Sequence, residues 1–194
     1  MATVLSASEV SLYFPAITAS VGTIVSRKLI ESVEQRLTLM TNNYFTLDLH
    51  VQDSVTFNAT ANSITLNNTT SYAQYGIRAG HNIYIYNSYE NDKFCTIASV
   101  TSNVATIASA YSVVDELSGR SVLISVVKWP EDIKMIAAEM VYFDSDIRGK
   151  TAPNIKSRSL GPLSESFTTG SSNSFGYPDD IVNKLEKYSV ARFC

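Results

Sequence analysis

The sequence predicts an α+β protein: a small helical bundle with an inserted antiparallel β module (a small barrel or sandwich) and a polar β ribbon before the C-terminal helix. Three observations carry this. Apolar residues recur at helical spacing within residues 1–48 and 128–194 but alternate within 49–127. Charge thins out in the middle: residues 50–127 hold eight Asp, Glu, Lys and Arg, whereas the other 116 residues hold 25, which marks an insertion rather than one uniform fold. Finally, residues 155–167 read as two short strands around Gly161-Pro162, with polar residues on both faces.

Each element has local support. Ser6-Ala-Ser-Glu9 has capping-box spacing and starts a short helix that Pro15 stops. Ser26 is a candidate N-cap for a longer helix. Leu29, Ile30, Val33, Leu37, Met40 and Tyr44 form its stripe, Glu31, Glu34, Gln35 and Arg36 lie opposite, and Thr41-Asn42-Asn43 ends it. In the β module, Val55–Phe57, Ile64–Leu66, Ile83–Tyr86, Phe94–Ile97, Val104–Ile107 and Val122–Val127 read as short strands. Turn residues at 58–63, 80–82, 91–93 and 102–103 punctuate them. Trp129-Pro130-Glu131-Asp132-Ile133 opens a helix with Pro at its first position and two acids complementing the helix dipole. Its stripe is Ile133, Ile136, Ala137, Met140, Phe143 and Ile147, and Gly149 stops it. Tyr177-Pro178-Asp179-Asp180-Ile181 repeats this grammar for a last helix running to Phe193. The intervening ribbon reads as an edge element that pairs with something other than this chain's core.

Composition narrows the function. A net charge of −3 argues against a main role in gripping nucleic-acid phosphates. Ser and Thr number 43 and outnumber the charged residues, giving a polar but sparsely charged surface suited to protein contacts. Cys95 and Cys194 have neither zinc-site spacing nor a disulfide framework. The N-terminal residues do not resemble a signal peptide and no apolar run is long enough to span a membrane, so a soluble intracellular protein is expected.

No catalytic constellation emerges. His50 and His81 have no adjacent nucleophile in a strained turn, and turn or structural roles are expected for both. Asp179/Asp180 serve the helix start. Asp115/Glu116 read as a solvated turn and Asp144/Asp146 as a solvated helix face, without a calcium-loop pattern. No glycine-rich phosphate cradle is present, and no cofactor is expected. Lys150, Lys156 and Arg158 form a small basic cluster matched to an acidic protein surface. Tyr72, Tyr75, Tyr84, Tyr86, Tyr89 and Tyr111 either cover a small barrel or form a stacking platform for sugars or bases.

The layout resembles a known family. The short helix ending in aromatic-Pro, the amphipathic helix, Ile136-Ala-Ala-Glu-Met140 with Tyr142-Phe143-Asp144, the ribbon Ser157–Phe167 and Gly176-Tyr-Pro-Asp-Asp-Ile181 through Tyr188 together resemble the head–tail connector (adaptor, head-completion) proteins of tailed bacteriophages. The segments 76–85 and 91–97 are similar to small β modules of phage structural proteins, although His81 and Lys93 depart from the usual Gly-Asp and Asn-Asp-Gly turns. The resemblance implies a non-enzymatic virion protein of the neck, made in the host cytoplasm. It would form a ring, usually dodecameric, between the portal protein and a downstream neck or tail protein. DNA would pass through the ring without specific binding.

On this reading Lys156, Ser157, Arg158, Ser159, Leu160, Leu163, Ser164, Glu165, Ser166 and Phe167 are subunit-interface candidates. Tyr177, Pro178, Tyr188, Arg192 and Phe193 are candidates for portal or neck contact. Tyr72, Tyr75, Tyr84, Tyr86 and Tyr89 are candidates for outward contacts of the β module to capsid, fibres or another virion protein. The alternatives are a β-module protein binding a glycan or another virion protein, and a head stopper or tail terminator.

Overall fold

The structure, a computed structural model, describes residues 4–13, 23–69, 71–117, 120–147, 157–160, 163–166 and 176–191. It is mixed α+β and packs as two units. One is Tyr44–Trp129; the other joins Val4–Asn43 to Pro130–Cys194.

The first unit is a six-stranded antiparallel sheet. Its strands are β1 (Thr46–Asn58), β2 (Ser63–Leu66), β3 (Asn82–Tyr86), β4 (Phe94–Thr101), β5 (Val104–Ile107) and β6 (Ser121–Val127). The order β1-β2-β5-β4-β3-β6 returns to β1, so the ladder closes into a barrel. Strand β1 makes the closure because it serves two neighbours. Val55–Asn58 pair with β2, and His50–Ser54 pair with β6. The sequence shows only its apolar end at residues 55–57. The full strand has 13 residues, and its inward alternation of Val51, Asp53, Val55 and Phe57 is masked by a carboxylate.

Asp53 is only 5% exposed and accepts the backbone N–H groups of Asn68 (3.2 Å) and Thr69 (2.8 Å), fixing the chain that leaves β2. Burial disfavours its charge, but the hydrogen bonds from Thr69 and Asn68 outweigh that and hold its pKa below the ordinary value. The core holds Val51, Phe57, Ile64, Ile83, Ile97 and Ile124, with Cys95 and Tyr72 wholly buried among them. Asn62, at a φ of 48°, ties the β1–β2 turn to the chain after β5. Its amide donates to Ile107 O (3.0 Å) and Tyr111 O (2.9 Å) and accepts from Val113 N (3.0 Å).

The ends of this unit meet. Lys128 N donates to Phe45 O (3.0 Å), Thr46 pairs with Val127, and the Phe45 and Trp129 rings lie 4.8 Å apart. Phe94 and Tyr84 extend the aromatic cluster, and Tyr44 stacks on Tyr84 at 4.3 Å.

The second unit contains α1 (Ala7–Tyr13), α2 (Thr23–Thr41), α3 (Glu131–Tyr142) and α4 (Asp179–Leu185). The α1 capping box is formed: Ser6 N donates to Glu9 (2.7 Å) and Glu9 N to Ser6 Oγ (3.2 Å). Helix α2 begins three residues before Ser26, and Asn42, at a φ of 50°, ends it as expected. Glu34, expected on the outer face of α2, is 5% exposed and accepts Val4 N at 2.8 Å. Val33 and Leu37 of α2, Ile133, Ile136 and Met140 of α3, and Ile181 and Leu185 of α4 are buried. Pro130 and Pro178 sit at the N-cap, one residue before the expected position, with the paired acids in the first turn. Helix α3 ends in one wider turn, Phe143–Ile147.

The last helix does not reach Phe193. It ends at Leu185 in a tight turn, Glu186–Tyr188. The following backbone is captured by the end of α2: Val190 N donates to Thr41 O (2.9 Å), Asn42 to Val190 O (3.0 Å) and Asn43 to Tyr188 O (3.1 Å). No helix among the described residues is long and apolar enough to cross a membrane.

Two outcomes follow. Because its ends are already joined, a fragment of residues 44–129 unfolds cooperatively on its own in a circular-dichroism melt; a non-cooperative melt contradicts this. Asp53→Asn costs on the order of 1 kcal/mol at neutral pH in urea unfolding. A carboxylate with a lowered folded pKa stabilises above its unfolded value of 3.8 and loses that contribution as pH falls through the folded value, so mutant and wild type converge at acidic pH.

Candidate functional site

Ser157–Leu160 and Leu163–Ser166 form β7 and β8, the hairpin expected around Gly161-Pro162. The register pairs Ser157 with Ser166, Arg158 with Glu165, Ser159 with Ser164 and Leu160 with Leu163. It therefore sorts the ribbon into an all-serine set and a set of Arg158, Glu165 and two leucines, rather than two equivalent polar faces. Among the described residues the ribbon is a separate two-stranded sheet that pairs with no other strand, which leaves the backbone groups of its outer edges without a strand partner. Lys156 and Phe167 lie outside the described residues.

The roots of this excursion meet at one guanidinium. Asp144, in the wide turn after α3, and Tyr177, just before α4, both bind Arg36 of α2. Arg36 donates to Asp144 Oδ2 (2.7 Å) and to the Tyr177 hydroxyl, and that hydroxyl donates to Asp144 Oδ2 (2.6 Å). The Asp144 side chain is 4% exposed, so the expectation of a solvated helix face is overturned. Burial lowers the Arg36 pKa, but hydrogen bonding to Tyr177 and the charge of Asp144 raise it by more. Burial, followed by Asp144, pushes the Tyr177 hydroxyl above its ordinary range, so it remains a proton donor. Tyr177, expected at a partner contact, is instead wholly buried, against Phe143 at 5.7 Å and under Arg36 at 5.6 Å. Periodicity could not find this trio, because its members are far apart in sequence and each reads alone as a surface residue.

The other expected contacts separate. Pro178 is a half-buried cap. Tyr188 donates to Asp132 (3.1 Å) beside Lys187 and is held within the helical unit. Arg192 and Phe193 lie outside the described residues. Of the barrel tyrosines, Tyr72 is no surface contact: it is wholly buried, its hydroxyl donates to Ile64 O (3.3 Å), and burial raises its pKa. Tyr84 is half-buried in the aromatic cluster, 6.2 Å from Tyr86. Tyr75, Tyr86 and Tyr89 are exposed, Tyr89 most of all at 73%, with the Arg120 guanidinium 4.7 Å over its ring.

His50 is an exposed residue of β1, and His81 Nδ1 accepts Arg78 N (3.3 Å) in a turn next to Gly80, whose φ is 84°. Asp115 and Glu116 do more than line a solvated turn. Asp115 accepts Ala59 N (2.6 Å), and Glu116 accepts Tyr89 N (3.1 Å), Glu90 N (2.8 Å) and the Asn91 amide. No group of three His, Cys, Asp or Glu among the described residues could hold a metal ion.

Compared with known protein families and with curated proteins, the chain matches none.

Removing Tyr177's hydroxyl with Tyr177→Phe costs about 1–2 kcal/mol in urea unfolding, the range for a buried hydrogen bond. Arg36→Met removes the guanidinium that Asp144 and Tyr177 share and costs about 1–3 kcal/mol, less than for a fully buried pair because the Arg36 side chain is 34% exposed. Equal, negligible losses would show that the trio does not hold these roots.

Proposed function

We propose that this chain is a non-enzymatic virion structural protein, an adaptor whose copies form a ring between the capsid portal and the next neck or tail component, with DNA passing through the channel. The observation that carries the reading is the ribbon. A two-stranded hairpin is marginal in water, and its free edges invite a further strand. A neighbouring copy supplies one in a head-to-tail contact that closes by rotation. The helical unit mounts the ribbon by fixing its roots at Arg36, and the inserted barrel faces outward to capsid, fibres or another virion protein. The sparse charge supports passage of DNA without retention.

Light scattering after size exclusion, on the protein alone and mixed with a candidate portal, tests this. The expected result is a ring-sized species in at least the mixed sample. Ser164→Pro with Ser166→Pro removes two backbone donors from β8 and abolishes the ring while the barrel's melt is unchanged. Normal rings from that variant would sink the ribbon's role.

A second reading, a glycan-binding β module, is favoured only by the exposure of Tyr86 and Tyr89. It predicts signal on a glycan array, which the adaptor reading does not.

A further inference from the structure

Six of the eight charged residues in 50–127 fall in two short stretches of sequence, 90–93 and 115–120: Glu90, Asp92, Lys93, Asp115, Glu116 and Arg120. The structure joins these loops. Asn91, wholly buried, donates to Val114 O (3.0 Å) and accepts Val114 N (2.8 Å), while Glu116 takes the N–H groups of Tyr89 and Glu90. Asp92 locks the first loop by accepting Ser88 N at 2.7 Å. The carboxylates of Asp92, Asp115 and Glu116 are thus held by backbone N–H groups, an amide and a hydroxyl. Among the described residues no Lys or Arg forms an ion pair with these three or with Glu90. In the helical unit, by contrast, Glu131, Asp132 and Glu139 are each paired with a lysine. The joined loops also carry the two most exposed large apolar residues of the barrel, Leu117 at 90% and Tyr89 at 73%. An apolar centre with a charged rim on loops joined by hydrogen bonds matches the anatomy of a protein contact.

The charge of the rest of the chain identifies the occupant. Residues 148–166 carry Arg148, Lys150, Lys156 and Arg158 against Glu165, a net of +3 in a chain of net −3. This basic stretch contains the ribbon and its two leucines. We propose that the basic arm, residues 148–166, of one copy docks on the acidic, apolar-centred loops around Tyr89, Glu90, Glu116 and Leu117 of a second copy. This rests on the self-assembly reading above and names the surface that receives the ribbon. Opposite charge steers the arm, and Tyr89 and Leu117 anchor it once water is displaced.

Charge reversal in the full chain tests it. Lys150→Glu with Lys156→Glu alters the arm outside the paired strands. Glu90→Lys alters a loop side chain that carries no described hydrogen bond. Each variant is expected to weaken self-association about tenfold in light scattering at low salt, with unchanged melting. Mixing the two, so that an acidic arm meets a basic loop, restores a complex that neither forms alone. Leu117→Ser weakens assembly without changing its salt dependence. If wild type assembles and the reversals neither weaken nor rescue it, the docking surface is wrong while the ring stands. If wild type stays monomeric at every concentration and with the portal, both readings fall. Rescue by the mixture distinguishes docking in trans from an arm that folds onto its own barrel.

Discussion

An insertion can interrupt a fold only if it gives the chain back where it took it. Here that constraint is met by the backbone bond from Lys128 to Phe45 and by the Phe45–Trp129 ring contact. Phe45 holds a φ of 53°, uncommon for a bulky side chain, while 7% exposed. A conformation costing on the order of 1–3 kcal/mol persists only where its surroundings over-determine it. Trp129 and the β1–β6 ladder do so, and the barrel's own strand pairing closes the ladder. The helical core formed by α2 and α3 is thereby spared an interruption in packing, although 86 residues separate its halves.

What the sequence made legible, and what it did not, follows the range of the forces involved. Local signals read well. The Ser6/Glu9 box, the proline-acid helix starts and the turn at Asn42 were all visible, because each depends on atoms within a few residues. Six strand cores were visible from alternation. The misses are long-range. Glu34 and Asp144 read as surface carboxylates because their partners lie 30 and 108 residues away, and Asp53 carries no local signal because its donor Thr69 lies 16 residues away. The overlong last helix was the same error: its propensity runs on, but the end of α2 takes the Tyr188 and Val190 carbonyls first. Tyr72, a candidate for outward contact, and Tyr177, a partner-contact candidate on the resemblance, are both wholly buried.

The proposed function draws on contrasts between the two units. The barrel keeps six of the eight charges of residues 50–127 in two stretches, whereas the helical unit pairs Glu131, Glu139 and Asp132 locally with Lys134, Lys184 and Lys187. Local pairing of exposed charges contributes little to stability, but it silences a surface electrostatically. Patches left unneutralised then stand out to a partner. The Arg36 trio, with Asp144 and Tyr177 buried, works differently. Its value is geometric, because a planar guanidinium adds a fixed separation to two chain segments that the Tyr177–Asp144 bond and the Phe143–Tyr177 ring contact already bring together.

Cys95 has a use as a clock. It is wholly buried in the barrel, and burial pushes its thiol up to about 12, Lys93 offsetting this only in part. Only the thiolate reacts with alkylating reagents. Modification of Cys95 therefore waits for the six strands to part, and its rate at neutral pH reads the frequency of that opening in the intact protein. Assembly into a larger particle would register as a slower clock if it braces the barrel, and as an unaltered one if the barrel hangs free.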